Sequence, residues 1–91
     1  MEYQVIILPS AEADLARLSP DFREAVLRRL EWLRANADAM IHRRLQNLPD
    51  DLSGLCRLRY SDYRILYWHY SARGLVKIYR VQHRSEVYRD M

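Results

Sequence analysis

Residues 55–70 read LCRLRYSDYRILYWHY, and the alternation within them decides the fold. In an extended chain successive side chains point to opposite faces, so Arg57 and Arg59 share one face while Cys56 and Leu58 share the other. Ser61-Asp62 makes a short link, and Arg64 is out of phase with Ile65, so it joins the two arginines across a hairpin. The expected strands are 55–60 and 63–70. Ser71-Ala72-Arg73-Gly74 then reads as a turn, with Gly74 tolerating positive φ, and leads into a third strand over 75–82.

Working outward, the run Tyr3 to Leu8 (YQVIIL) is a first strand ended by Pro9. Its content of β-branched and large apolar side chains predicts burial on both faces for most of its length and hence a central position. Ser10 is a candidate cap for a short helix over 11–18, with Ala11, Leu15 and Leu18 as its apolar stripe. Ser19-Pro20-Asp21 restarts the chain, with serine at the cap and proline at the first helical position. The second helix runs to about Asn36, with Phe22, Val26, Leu30 and Leu33 on one face. So short a turn predicts an antiparallel helical hairpin. Met40 to Leu48 reads as a further helical turn, followed by loop chemistry at Pro49, Asp50, Asp51, Ser53 and Gly54. The expectation is an α+β fold in the order β-α-α-β-β-β. Its antiparallel-rich sheet has the hairpin on one face and the other face left for solvent or a partner.

Ninety-one residues, 49% of them hydrophobic, suit one core and a single domain over 1–91. The lone Cys56 excludes an internal disulfide, and the chain shows neither a signal peptide nor a run of roughly 20 apolar residues. A cytoplasmic protein without membrane partners is expected. Charge is uneven. Residues 1–51 carry seven arginines against nine acids, a balance of −2. Residues 52–91 carry seven arginines and Lys77 against three acids, a balance of +5. The basic charge lies where the arginine face is, which favours a polyanion there; a solvated basic surface is the plainer alternative.

Three guanidiniums on one sheet face repel one another unless an anion lies between them, and phosphate matches their forked donors. Salt bridges to Asp62 and Glu86 are the structural alternative. The tail VQHRSEVYR (residues 81–89) holds His83, Arg84 and Tyr88. Histidine can exchange protons near neutral pH. Alone, His83 reads as a surface histidine and Tyr88 as a packing residue; only their company with Arg57, Arg64 and Arg84 suggests catalysis. Lys77 and Arg80 of the last strand are further candidates for RNA contact. Cys56 faces the core and reads as a small hydrophobe, not a nucleophile. His42, His69 and His83 are too scattered for a zinc site, and two glycines cannot build a phosphate loop, so neither metal nor cofactor is expected. Tyr60, Trp68 and Tyr70 can stack on bases, although sheet aromatics more often pack in cores or interfaces.

With RLQNLP, CRLRYSDYRILY and VQHRSEVY in place, the chain resembles the RelE/ParE toxin superfamily over nearly its full length. That resemblance implies the β-α-α-β-β-β fold, a cognate antitoxin, and binding in the ribosomal A site to cut mRNA there. In such cleavage the ribose 2′-OH attacks the adjacent phosphorus, which needs a base, cations and an acid for the leaving 5′-oxygen. Arg57 and Arg64 match basic positions of the motif, with Arg59 beside them; Arg84 and Tyr88 match the RSEVY end. His83 stands where many members place a histidine. Leu55 and Gln82 occupy positions that are basic in some members, which makes the chain similar to a histidine-bearing branch. The alternative is a ParE-like toxin that binds DNA gyrase without nuclease activity, and a third reading is an inactive partner-binding module. An antitoxin segment is expected over exposed apolar surface such as Leu66 or Trp68, with its acidic residues on the arginine face.

Overall fold

A computed structural model describes residues 3–83. Arg84 and Tyr88 lie outside the described residues. The chain runs β1 (Gln4–Ile7), α1 (Pro9–Ala16), α2 (Pro20–Asn36), β2 (Arg43–Arg44), β3 (Cys56–Tyr60), β4 (Tyr63–Tyr70) and β5 (Leu75–His83), with short 3-10 turns at Asp50–Leu52 and Ser71–Arg73. The sheet order is β1-β5-β4-β3-β2. Only the β1–β5 pair is parallel; the others are antiparallel. This is the expected α+β architecture, with one short strand added.

The helices and one sheet face share a core. Ala11, Leu15, Val26, Leu30 and Leu33 meet Cys56, Leu58, Ile65, Tyr67, Val76, Ile78 and Val81. Apolar side chains at these spacings gain about 25 cal/mol per Å² removed from water, which is what holds the hairpin against the sheet. Ser19 caps α2 as expected, its Oγ accepting from Phe22 N at 3.4 Å, with Pro20 in the first turn. Arg23 then closes the inter-helix turn by donating to the carbonyls of Leu15, Ala16 and Leu18 at the end of α1.

Three expectations need correction. β1 is an edge strand, not a central one. A short apolar run does not by itself distinguish a strand buried on both faces from an edge strand partly covered by helices. Pro9, not Ala11, begins α1, with Leu8 at the cap; proline has no N–H to lose at that position. Ser10 instead donates its hydroxyl to the Tyr79 carbonyl at 2.6 Å. The stretch read as a helical turn over 40–48 contains β2, with Arg43 opposite Arg57 and Arg44 opposite Cys56.

β1 ends at Ile7, but β5 continues to His83 and needs partners for its exposed edge. Helix α1 supplies them. Ser10 serves the Tyr79 carbonyl, and the Asp14 carboxylate accepts from Val81 N at 2.9 Å. Asp14 is 3% exposed at the side chain and also accepts from Arg80 Nε at 2.7 Å, Arg80 Nη2 at 3.1 Å and Arg17 Nη2 at 2.6 Å.

A second polar cluster fixes β2. His42 and His69 stack with centroids 3.7 Å apart. His42 Nε2 lies 2.7 Å from the Ala37 carbonyl and donates to it, and Nδ1 lies 2.7 Å from the Tyr67 hydroxyl. Tyr3 donates to Asp38 at 2.6 Å and so accepts from His69 Nε2 at 3.0 Å. The Asp38 hydrogen bond, then burial, pushes the Tyr3 phenol up, and burial pushes the Tyr67 phenol up. Both therefore stay protonated donors.

Two predictions follow from these clusters. Asp14→Ala removes four acceptor contacts at once and strands Arg80 and Val81 N; we expect a loss of about 2–4 kcal/mol, read as a lowered urea midpoint. Asp14→Asn, which can still accept from Val81 N, should fall between the two. The second prediction concerns acid. Burial, then the His42 charge, holds the His69 imidazole below its ordinary value of 6.5. The folded state thus resists a proton that the unfolded chain accepts. Stability is complete above about pH 6.5 and declines as pH falls toward the lowered folded value. Thermal melts between pH 7.5 and pH 5 should show this decline, flattened in His69→Gln; equal slopes in both proteins would contradict it.

Candidate functional site

The side of the sheet opposite the helices carries the basic side chains. β3 sends Cys56 and Leu58 into the core, so Arg57 and Arg59 face outward. In the β3–β4 register Arg59 stands directly opposite Arg64, and in the β2–β3 register Arg43 stands opposite Arg57. Directly paired residues lie about 4.5–5.5 Å apart at Cβ, close enough for like charges to destabilise the pair unless an anion is shared. The Arg64 guanidinium donates to the Tyr63 carbonyl at 3.1 Å. Beside the row, Met40, Ile41, Arg43, Arg57, Leu58 and Arg59 line an open cleft of about 430 Å³. Ile41, 81% exposed, gives it an apolar lip.

Arg43 escaped the sequence reading. The available signal was the run His42-Arg43-Arg44, whose alternation splits the two arginines between faces once the segment is extended. The histidine stack holds His42 and thereby the strand that carries Arg43. Arg44 lies opposite Cys56 instead. Burial pushes the Cys56 thiol up and outweighs the Arg44 charge acting in the other direction. It is a buried thiol, not a thiolate nucleophile.

The structure brings together Arg57, Arg59 and Arg64 and separates Lys77, Arg80 and His83 from them. Arg80 turns to the edge of β5 and is bound by Asp14. Lys77 lies opposite Trp68, with Nζ 5.7 Å from the Tyr70 ring centroid. His83 is opposite Tyr63, one step from the Arg64–Gln82 pair and so on the other side of the sheet. Its ring meets Tyr63 edge-on at 5.4 Å, and Tyr63 in turn packs 4.6 Å from Phe22 of α2. Leu66 also differs from expectation: it is 0% exposed and offers no surface to a partner. Its cross-strand neighbours are Arg57 and Arg80, long side chains whose aliphatic stems can cover a central leucine. Trp68 remains partly exposed. Among the described residues no three metal-ligating side chains converge, and no helix is long and apolar enough to cross a membrane.

Residues 5–88 match the family model described as the ParE toxin of type II toxin–antitoxin system, parDE. No curated protein sequence matches the chain. Among solved structures, the toxin–antitoxin complex RelBE2 from Mycobacterium tuberculosis is 27% identical, with a TM-score of 0.77 over 91% of this chain and 99% of that one. The archaeal RelE–RelB complex from Pyrococcus horikoshii is 22% identical, with a TM-score of 0.71 over 96% and 100% of the two chains. The isolated E. coli RelE toxin is 22% identical, with a TM-score of 0.66 over 97% and 93%. A match over nearly the whole sequence, on the two-helix, five-stranded fold these toxins share, means that the chain belongs to the ParE toxin family of type II toxin–antitoxin systems, within the RelE/ParE superfamily.

Proposed function

We propose that this toxin is a ribosome-dependent mRNA endoribonuclease that arrests translation in the cytoplasm. The observation that carries the reading is the arginine row: Arg59 opposite Arg64, with Arg57 and Arg43 paired beside them on one open sheet face. Such a row suits a phosphodiester whose charge grows as the reaction proceeds. In the proposed step the 2′-oxygen bonds to phosphorus, its proton passes to a base, and the bond to the 5′-oxygen breaks as an acid supplies a proton. The products are a 2′,3′-cyclic phosphate and a free 5′-hydroxyl. Arg57, Arg64 and Arg84 are assigned to the phosphate, with Arg59 beside them, while His83 is assigned proton transfer and Tyr88 its assistance or stacking on a base. His83 ends β5 beside the start of β4, so an RNA crossing that rim meets Arg64 on one side and His83 on the other. Because the solved complexes of similar toxins contain their antitoxins, we also infer a cognate antitoxin whose acidic groups neutralise the arginine face.

The family match favours a second reading, a ParE-like toxin that binds DNA gyrase without cutting RNA. Primer extension on translated message separates the two. Cuts that require ribosomes support the nuclease; intact message with gyrase-linked DNA breaks supports the alternative. Within the nuclease reading, Arg64→Ala should weaken binding and reduce the salt dependence of binding by about one phosphate contact. His83→Ala should slow single-turnover cleavage by about 10²–10⁴-fold with little change in binding. Cleavage by His83→Ala at the wild-type rate would assign the histidine to packing against Tyr63.

A further inference from the structure

The arginines occupy one half of the open sheet face; the other half is aromatic and has no part in the chemistry above. Beyond Leu66, β4 presents Trp68 and Tyr70 on this face, and Lys77 of β5 stands opposite Trp68. A register shift between Leu66 and Tyr67, which pair with Arg80 and Ile78, leaves Tyr79 with no directly opposed residue. Its ring lies 5.2 Å from that of Trp68, with the planes inclined at 51°. Rings inclined at that angle are not stacked face to face. The Trp68 indole N–H donates to the Ser53 carbonyl at 3.0 Å, which fixes the ring. Both aromatics are partly exposed. Tyr70 is flanked by two cations, Lys77 Nζ at 5.7 Å and Arg73 Cζ at 6.0 Å from its centroid.

The composition of this face selects its occupant. None of the described strand residues on it is acidic, and the one aliphatic residue between its two halves, Leu66, is fully buried. An amphipathic protein helix needs an apolar groove, which is missing at that point. A single nucleic-acid strand needs aromatic faces for its bases and cations for its phosphates. From Arg64 to Trp68 is four residues of strand, about 13 Å at 3.3 Å per residue, a span that a few linked nucleotides can cover. We propose that Trp68 and Tyr79, edged by Lys77 and Arg73, form a base-stacking subsite for single-stranded RNA. A base at this subsite fixes the register of the strand whose phosphates lie on the arginine row. The choice of RNA rests on the nuclease reading; the stacking geometry does not.

Tryptophan fluorescence tests it. In a Trp32→Phe background Trp68 is the sole tryptophan, since the chain has two, and red-edge excitation reads it apart from the tyrosines. The ligand is a short single-stranded RNA with 2′-O-methyl riboses, which lacks the attacking hydroxyl and is not cut. Saturable quenching is expected. Tyr79→Ala and Trp68→Ala, the latter followed by anisotropy of labelled RNA, should each weaken binding about 5- to 100-fold and leave inorganic polyphosphate binding unchanged. Arg64→Ala should weaken both ligands. Thermal melts confirm folding, and Tyr79→Ala carries the test if Trp68→Ala unfolds. An unquenched Trp68, wild-type affinity in Tyr79→Ala, equal quenching by duplex RNA, or capture of the face by an antitoxin helix with no RNA binding would each overturn the subsite. Trp68-dependent binding with uncut ribosomal message would remove the nuclease reading alone, whereas cut message with an unquenched Trp68 would remove the subsite alone.

Discussion

Asp14 stands where β1 has ended and β5 continues, and its carboxylate does for β5 what a neighbouring strand would do. It accepts the Val81 amide, takes two donors from Arg80 and a further one from Arg17. A carboxylate with 3% side-chain exposure is tolerable only because those donors replace the water it has lost. The consequence reaches beyond the contact itself. With Asp14 in place, α1 lies along the edge of β5 and its apolar stripe enters the core. β5 stays paired with β4 to the end of the sheet that carries His83 and the Arg64–Gln82 pair. The polar bond sets the register, and apolar burial supplies most of the stabilisation.

The same carboxylate divides the basic residues of β5 by role. Arg80 pairs with Leu66 in the ladder, yet its guanidinium serves α1. Arg43, Arg57, Arg59 and Arg64 lie on the face opposite the helices, and two of their pairings set like charges directly across from each other. Like charges directly opposite each other are unfavourable unless opposite charge offsets them. The arginines that bind the helices are thus kept apart from those on the opposite sheet face. Arg17, Arg23 and Arg80 hold the helices; Arg43, Arg57, Arg59 and Arg64 line the open face.

What could be read from the sequence follows from the range over which each interaction acts. Alternation is local, so the faces of Arg57, Arg59 and Arg64, the second helix from Pro20 to Asn36, and the αL glycine at Gly74 (φ 58°) were all legible. Helix α2 carried both a cap and a long apolar period, and β4 had eight residues over which to show its phase. β1 failed on position because a short run such as Val5-Ile6-Ile7 looks the same at an edge as in the middle. β2 failed on type because two residues have no period at all. The histidine stack was invisible for another reason: His42 and His69 meet ring on ring, and their partners Tyr67 and Tyr3 likewise come from distant parts of the chain. Arg80 shows the limit of alternation itself, since a one-residue irregularity beside it redirects two side chains at once.

The parallel pairing of β1 with β5 has a mechanical meaning. The two strands point the same way, with the beginning of the chain entering through β1 and the last described strand being β5. A force drawing those two ends apart slides one strand along the other and loads all their hydrogen bonds together. In an antiparallel hairpin pulled from its two free ends, the bonds would open one after another. Asp14 and Ser10 extend that loaded seam past the end of β1, tying α1 to the remainder of β5. A machine that unfolds proteins by pulling on one end therefore meets its greatest resistance at this seam, while β2, two residues long at the opposite edge, is the easiest strand to peel away.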